Sequence, residues 1–288
     1  MDEELCVFKE RAEFAVVIPA YGEPQYLEET LKSLVNTQGD SVRILVLDDG
    51  SVSSFIQNLV RQFEPRISYF RNSTNLGVSK NFNKGLRIAN AKYVMLIGHD
   101  DLMTGCMTSV INRNKFLDQS FFAILTPVKT VNLVGKKSLS LSAFAKFLLT
   151  PKRSGIISSK RFLVSLLIGN WVFHPGIIWN TEGFENEVYD ERYLFCMDWD
   201  LLLRFAYKNI PCLYSEKEIF TYRRHIESIS MRNVTGRYAE ELEVLNRNYT
   251  LSKRTNFLYY VLSKAAIMPR LNFIVRKFQS IRMPRIKS

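Results

Sequence analysis

Apolar residues fall along the first half of the chain in two alternating rhythms. Residues 14–19, 43–48, 67–71, 93–97 and 121–127 are short runs rich in β-branched and aromatic side chains. Each is bounded by polar or turn residues, and together they predict five strands. Between them apolar positions recur at helical spacing: Tyr26, Leu27, Thr30, Leu31, Leu34 and Val35 share one face, Phe55, Ile56, Leu59, Val60 and Phe63 a second, and Phe82, Leu86 and Ala89 a third. Strand and helix alternating in this way predict a parallel, doubly wound α/β sheet, which binds its ligands at the carboxyl ends of the strands. After Pro127 the alternation stops. Helical patterns cover 138–150, 160–168 and 237–253, strands are expected over 176–179 and 220–224, and Leu201, Leu202, Phe205 and Ala206 form the inward face of a helix starting near Met197. The stretch 162–179 has the length of a membrane span, but Ser165, Asn170, His174 and Pro175 interrupt it, so it is read as a buried helix, a loop and a strand.

Composition adds a size and a compartment. With 288 residues, 47% of them hydrophobic, the chain can fill an α/β core without help. Cys6, Cys106, Cys196 and Cys212 are scattered, without Cys-x-x-Cys or zinc-finger spacing, which fits a reducing compartment. The first eleven residues are acidic and carry no apolar run, so no signal peptide is expected and the N-terminus reads as cytosolic.

The net charge of +11 is unevenly placed. Ten basic residues and no acid lie between Val244 and Ser288, and eight more, again without an acid, between Lys129 and Arg161; the remainder holds 21 basic against 28 acidic residues. Phe257, Leu258, Tyr260, Val261, Leu262, Ala265, Ile267 and Met268 interleave with the C-terminal cations. That pattern favours a helix on an anionic membrane surface over a solvated tail or a nucleic-acid site. The division expected is a catalytic domain over 1–235, with a nucleotide-binding half (13–128) and an acceptor half (129–235), and a basic, amphipathic helical extension over 236–288.

The candidate chemistry sits at the predicted carboxyl ends. The first strand runs into Pro19-Ala20-Tyr21-Gly22-Glu23, the second into Asp48-Asp49-Gly50-Ser51 and the fourth into His99-Asp100-Asp101. Asp100 and Asp101 by themselves have two readings: a cap for a helix beginning near Leu102, or a pair of carboxylates satisfied by a cation or ligand hydroxyls. Three acidic loops on one edge favour a divalent metal with a polyhydroxylated, phosphate-bearing ligand, because hard oxygen donors suit Mg²⁺ or Mn²⁺. The absence of Gly-x-Gly-x-x-Gly and of Gly-Lys-Ser/Thr weakens dinucleotide and P-loop readings. Asp198 would stand at a helix N-terminus, as an N-cap or as a carboxylate open to substrate. His99 orients the acidic pair or packs at the strand end, and His174 is read as structural. Trp171, Trp179 and Trp199 are read as core, Trp199 being the one placed to stack on a sugar.

Taken together these residues resemble the inverting glycosyltransferases of family 2, of the bacterial cell-surface polysaccharide type. The resemblance covers most of residues 15–230. It rests on Val16-Val17-Ile18-Pro19-Ala20-Tyr21-Gly22-Glu23, on Val46-Leu47-Asp48-Asp49-Gly50-Ser51, on Asn75-Leu76-Gly77-Val78-Ser79-Lys80-Asn81, and on the Asp100-Asp101 strand end in that order. It implies a GT-A fold, a Rossmann-like mixed sheet here followed by a C-terminal helical extension. Pro19, Ala20, Tyr21, Glu23, Asp48, Asp49 and Lys80 would then line the donor pocket, with Asp48 accepting from the base. Asp100 and Asp101 would match the metal and ribose site, although Gly98 stands where the family carries its first Asp. Asp198 would match the general base and Arg204 the helix arginine. Tyr222-Arg223-Arg224-His225 is similar to a late motif near the diphosphate, which adds His225 to the donor and metal sets.

The implied reaction is transfer of a sugar from a nucleoside-diphosphate donor to a hydroxyl of a glycan or lipid-linked acceptor, assisted by Mn²⁺ or Mg²⁺. The expected location is the inner face of the membrane, bound peripherally, without nucleic acid as a partner. Two other readings compete. A sugar nucleotidyltransferase would want a Gly-rich, lysine-bearing phosphate loop after the first strand, and a non-catalytic nucleotide-sugar binder would need no Asp198.

Overall fold

A computed structural model describes residues 8–114, 120–132, 148–184, 188–224, 234–255, 269–270 and 273–274. The first half follows the predicted alternation: β1 (Ala12–Ala20), α1 (Leu27–Thr37), β2 (Val42–Asp48), α2 (Phe55–Arg61), β3 (Ile67–Arg71), α3 (Val78–Ala89) and β4 (Ala91–Leu96). Next come β5 (Leu102–Met103), α4 (Met107–Asn114), β6 (Ala123–Leu125), β7 (Val128–Asn132), β8 (Gly155–Ile157) and α5 (Ser159–Ile168). A 3₁₀ turn (His174–Gly176) leads into β9 (Ile177–Asn180), followed by α6 (Met197–Tyr207), β10 (Cys212–Tyr214), β11 (Phe220–Arg224) and α7 (Val234–Thr255).

An eight-stranded sheet has the order β3-β2-β1-β4-β9-β6-β10-β8. β3, β2, β1 and β4 are parallel, as the alternation requires. β9 then lies antiparallel between β4 and β6. The fold is thus a mixed sheet rather than a parallel one throughout, and β6 is not the neighbour of β4. A second sheet, β5-β11-β7, lies beside it.

Burial explains the runs. β1 is hydrophobic at successive positions because both faces of the sheet are covered. Ala15 and Val17 face a core with Leu86 of α3, Phe162 of α5, Leu201 of α6 and Val244 of α7. Val16 and Ile18 face the other, with Leu27 of α1, Ile56 of α2 and Val110 of α4. The stretch 162–179 is the buried helix, turn and strand expected, and among the described residues no helix is long and apolar enough to cross a membrane. Trp171, Trp179 and Trp199 are all buried, and Trp199 donates its indole N–H to the Leu166 carbonyl, which removes it as a sugar platform. Most of 138–150, the amphipathic stretch 257–268 and His225 lie outside the described residues.

Candidate active site

The Asp-Asp-Gly-Ser loop after β2 is held rigidly by its own carboxylates. Asp48 is fully buried; its Oδ1 accepts from the Ser51 N–H and hydroxyl at 2.8 and 2.6 Å, and its Oδ2 from the Tyr69 hydroxyl at 2.7 Å. Burial and the Asp48 carboxylate together keep the Tyr69 phenol protonated far above its usual range. Asp49 reaches across to the turn before α3, where its oxygens accept from the Leu76 and Gly77 N–H groups at 2.9 and 3.0 Å and from Asn72 Nδ2 at 2.8 Å. Gly50 makes this approach possible. Its φ is +74°, and a Cβ there would stand 2.5 Å from the Thr74 carbonyl carbon. Beside this loop the Gly22 N–H donates to Ser51 Oγ, which leaves Tyr21 and Glu23 exposed at the edge, with Pro19 half-buried and Ala20 buried.

The turn after β4 is built differently from a helix cap. Leu102 and Met103, where the capping reading put the start of a helix, form β5 and pair with Thr221 and Phe220 of β11. The capping reading of Asp100 and Asp101 therefore fails, because the chain continues as a strand. Thr30 of α1 donates to the carbonyls of His99 and Asp101 and fixes the turn. Asp101 is 1% exposed, and its Oδ1 accepts from the Arg223 N–H at 3.0 Å. Burial, and then the neighbouring Asp100 charge, hold the Asp101 carboxyl well above the usual carboxylate range.

Both carboxylates reach the space above Gly98: a Cβ at Gly98 would lie 2.5 Å from Asp100 Oδ1 and 2.7 Å from Asp101 Oδ2. The two carboxylates that follow Gly98 thus occupy the space a side chain there would need. This donor set fits a hard divalent ion, since two close carboxylate oxygens, one of them buried, gain most from a cation. Among the described residues no group of three or more His, Cys, Asp or Glu side chains gathers for a metal. Asp100 and Asp101 would supply two ligands and leave the others to donor and water.

Topology brings Asp198 to the same edge. β9 runs antiparallel to β4, with Met95 opposite Ile178, so the His174–Gly176 turn before β9 lies beside the carboxyl end of β4. Asp198, in the first turn of α6, interacts electrostatically with His174 and with Tyr189. His174 Nε2 and the Tyr189 hydroxyl are 2.9 Å apart, and Phe82 stacks on the His174 ring at 5.0 Å. Burial lowers the His174 pKa, with the Asp198 charge opposing. Asp198 is 9% exposed; its Oδ1 accepts from the Trp199 N–H at 2.8 Å, and Asn170 Nδ2 lies 3.4 Å from its Oδ2. It is not the helix cap, a place taken by Cys196. Asn170, His174 and Tyr189 are thus neighbours of Asp198 that sequence reasoning did not assign to the site; His-Pro inside an apolar stretch was the available signal.

Two other predicted donor residues are engaged elsewhere. Arg204 donates from Nε to Asp200 Oδ2 at 2.8 Å and from a terminal nitrogen to the Val188 carbonyl. Lys80 is half exposed, with Nζ 3.9 Å from Glu191. Arg223, beside Asp101, pairs with Glu29 at 2.6 Å and lies over the Tyr26 ring.

Comparison with known proteins gives this geometry a family. Residues 15–121 match the profile of Glycosyl transferase family 2. An uncharacterized glycosyltransferase of Methanocaldococcus jannaschii is 32% identical over 218 residues, 73% of this chain and 70% of the relative. One of Haemophilus influenzae is 30% identical over 90 residues, 31% of this chain, and that match spans only 28% of its own length. Among solved structures, S. aureus TarS 1-349 in complex with UDP-GlcNAc is similar at a TM-score of 0.62 and 16% identity, over 95% of this chain and 76% of that chain. The mannosyltransferase PcManGT from Pyrobaculum calidifontis, in complex with GDP-Man and Mn²⁺, is similar at a TM-score of 0.58 and 13% identity, over 96% and 77%. These structural likenesses bear out the GT-A fold.

Proposed function

This chain belongs to glycosyltransferase family 2, and from that membership and the arrangement at the sheet edge we propose that it transfers a sugar, with inversion, from a nucleoside-diphosphate sugar to a hydroxyl of a glycan or lipid-linked acceptor. The observation that supports the reading is the β4–β9 register, which puts the His174–Gly176 turn beside the carboxyl end of β4, together with the Asp198 charge felt by His174. An inverting displacement needs a proton acceptor on the attacking side and charge neutralisation on the leaving side. Asp198 supplies the first: its carboxylate takes the acceptor hydroxyl's proton as the new glycosidic bond forms and the bond to the diphosphate breaks.

Charge on the departing diphosphate would be neutralised by a divalent ion held at Asp100 and Asp101, with His225 a further ligand. Tyr21, Glu23 and Lys80 are exposed around the nucleotide end and are assigned to donor binding. Asp48 and Asp49 act there through the loop they shape, each oxygen already accepting from the protein. Arg204 supports Asp200, two residues beyond Asp198.

The neighbours captured with UDP-GlcNAc and with GDP-Man and Mn²⁺ support a nucleotide-sugar donor and a divalent ion here. A panel of nucleotide sugars, each tested with Mn²⁺ for protection against thermal unfolding and then for nucleoside diphosphate release with lipid-linked acceptors, identifies the donor. Protection by none of them would defeat the reading. The basic, apolar-interleaved end of the chain supports peripheral attachment to an anionic membrane, at about 1 kcal/mol per cation near the surface. Truncation after Asn256 should release the protein from anionic vesicles, and unchanged sedimentation with them would sink that part.

A further inference from the structure

Residues 188–200 form the loop and first turn that carry Asp198, and they are gripped from two sides. On the donor side, Asn83 of α3 exchanges two hydrogen bonds with the Tyr189 backbone, both 2.9 Å, and the Ser79 hydroxyl donates to the Tyr193 carbonyl. On the other side stands α7, which lies beyond the expected catalytic domain. There the Glu240 carboxylate accepts three successive backbone N–H groups: Leu194 at 3.0 Å on Oε1, and Phe195 and Cys196 at 2.7 and 3.1 Å on Oε2. Arg247, two turns further along α7, ties Asp190 at 2.9 Å and Asp200 at 3.2 Å.

Cys196 is the N-cap of α6, and its own side chain makes no capping bond. The N–H groups leading into a helix need an acceptor. An Asp in the first turn would ordinarily be drawn to them. Here Glu240 takes three of them from more than forty residues away, and among the described residues Asp198 Oδ2 has Asn170 Nδ2 as its hydrogen-bond neighbour, at 3.4 Å. Glu240 thus holds the backbone just before the helix, while Asp198 Oδ1 accepts from the Trp199 N–H inside its first turn.

We propose that Glu240 is a positioning residue: by holding the backbone of residues 194–196 it sets the aim of the Asp198 carboxylate toward the acceptor hydroxyl. The proposal rests on the reading of Asp198 as the general base. α7 is then part of the catalytic apparatus, and the boundary between catalytic domain and extension falls after it.

The test compares Glu240→Ala and Glu240→Gln with wild type in the full-length chain. Two readouts apply: amide hydrogen exchange over 192–199, which needs no ligand, and nucleoside diphosphate release from a panel of uridine, guanosine and thymidine diphosphate sugars. In Glu240→Ala, exchange over 194–196 should accelerate while α1 and β1 stay protected, and kcat should fall roughly tenfold to a hundredfold with donor KM within about twofold, as expected when a reacting group is misplaced and donor binding is untouched. Glu240→Gln keeps one acceptor oxygen and should fall between the two; it also carries the test if the alanine variant does not fold. Unchanged exchange, kcat within about twofold of wild type in both variants, or an effect confined to KM would overturn the proposal. Asp198→Asn, measured alongside, separates the claims: full turnover in that variant removes the general base itself, whereas a slow Asp198→Asn beside an unaffected Glu240→Ala removes only the positioning role.

Discussion

Replacing Gly98 by Ala inserts one methyl group where the Asp100 and Asp101 carboxylates meet. Its Cβ would stand 2.5 Å from Asp100 Oδ1 and 2.7 Å from Asp101 Oδ2, where ordinary contact begins at 3.4 Å. Both oxygens must therefore withdraw by about 0.7 to 0.9 Å. Asp100 is half-buried, whereas Asp101 is 1% exposed and bonded to the Arg223 N–H at 3.0 Å. Moving it stretches a buried hydrogen bond, a loss of about 1–3 kcal/mol. At the reacting centre, a displacement approaching 1 Å costs up to about a hundredfold in rate. The expected outcome is a urea midpoint lowered by the equivalent of about 1–3 kcal/mol, with nucleoside diphosphate release reduced roughly tenfold to a hundredfold and requiring more Mn²⁺. Gly39→Ala, with nothing within 4 Å of its Cβ, is the control. Stability within about 0.5 kcal/mol of wild type and an unchanged Mn²⁺ titration in Gly98→Ala would refute the argument that the two carboxylates share this space.

Other outcomes follow from packing and charge. Phe205 is fully buried and stacks on Phe122 at 4.5 Å, so Phe205→Ala should cost about 3–5 kcal/mol in urea unfolding; a loss under about 1 kcal/mol would contradict that packing. His174 has its pKa lowered by burial, so the unfolded chain takes up this proton first as pH falls. Its contribution to stability is therefore complete above about 6.5, the unfolded value, and is lost progressively below it. His174→Asn should flatten that part of the stability profile between pH 7.5 and 5.5, and an identical slope in the variant would show that His174 is not responsible.

The parts of the fold that were legible in the sequence are those with local causes. β1, β2 and β4 are buried on both faces, so their hydrophobic runs stand out, and the helices between the first four strands show one apolar stripe each. The insertion of β9 between β4 and β6 left no local mark, because pairing partners are chosen by tertiary packing and the antiparallel strand reads like any other buried run. β5 and β8, two and three residues long, are too short to show a period. At the candidate site, Asp100, Asp101 and Asp198 could be singled out from the sequence because strand ends and helix starts are local features. The partners that shape them were not. Tyr69 on Asp48, Thr30 on the Asp101 carbonyl and Glu240 on the N–H groups before Asp198 are contacts across 21, 71 and up to 46 positions, and nothing in a window of sequence pairs such residues. The capping reading, with a helix beginning near Leu102, failed for the same reason, since β11 recruits Leu102 and Met103 as a strand.

The most direct measurement of the central claim is the single-turnover rate of Asp198→Asn beside its donor affinity. The variant keeps the shape of the side chain and its hydrogen bond from the Trp199 N–H, while removing the proton acceptor. A fall in rate of about 10²- to 10⁴-fold with donor affinity nearly intact is the predicted result. A wild-type rate, or a loss explained wholly by weaker donor binding, would contradict the assignment of Asp198 as the general base.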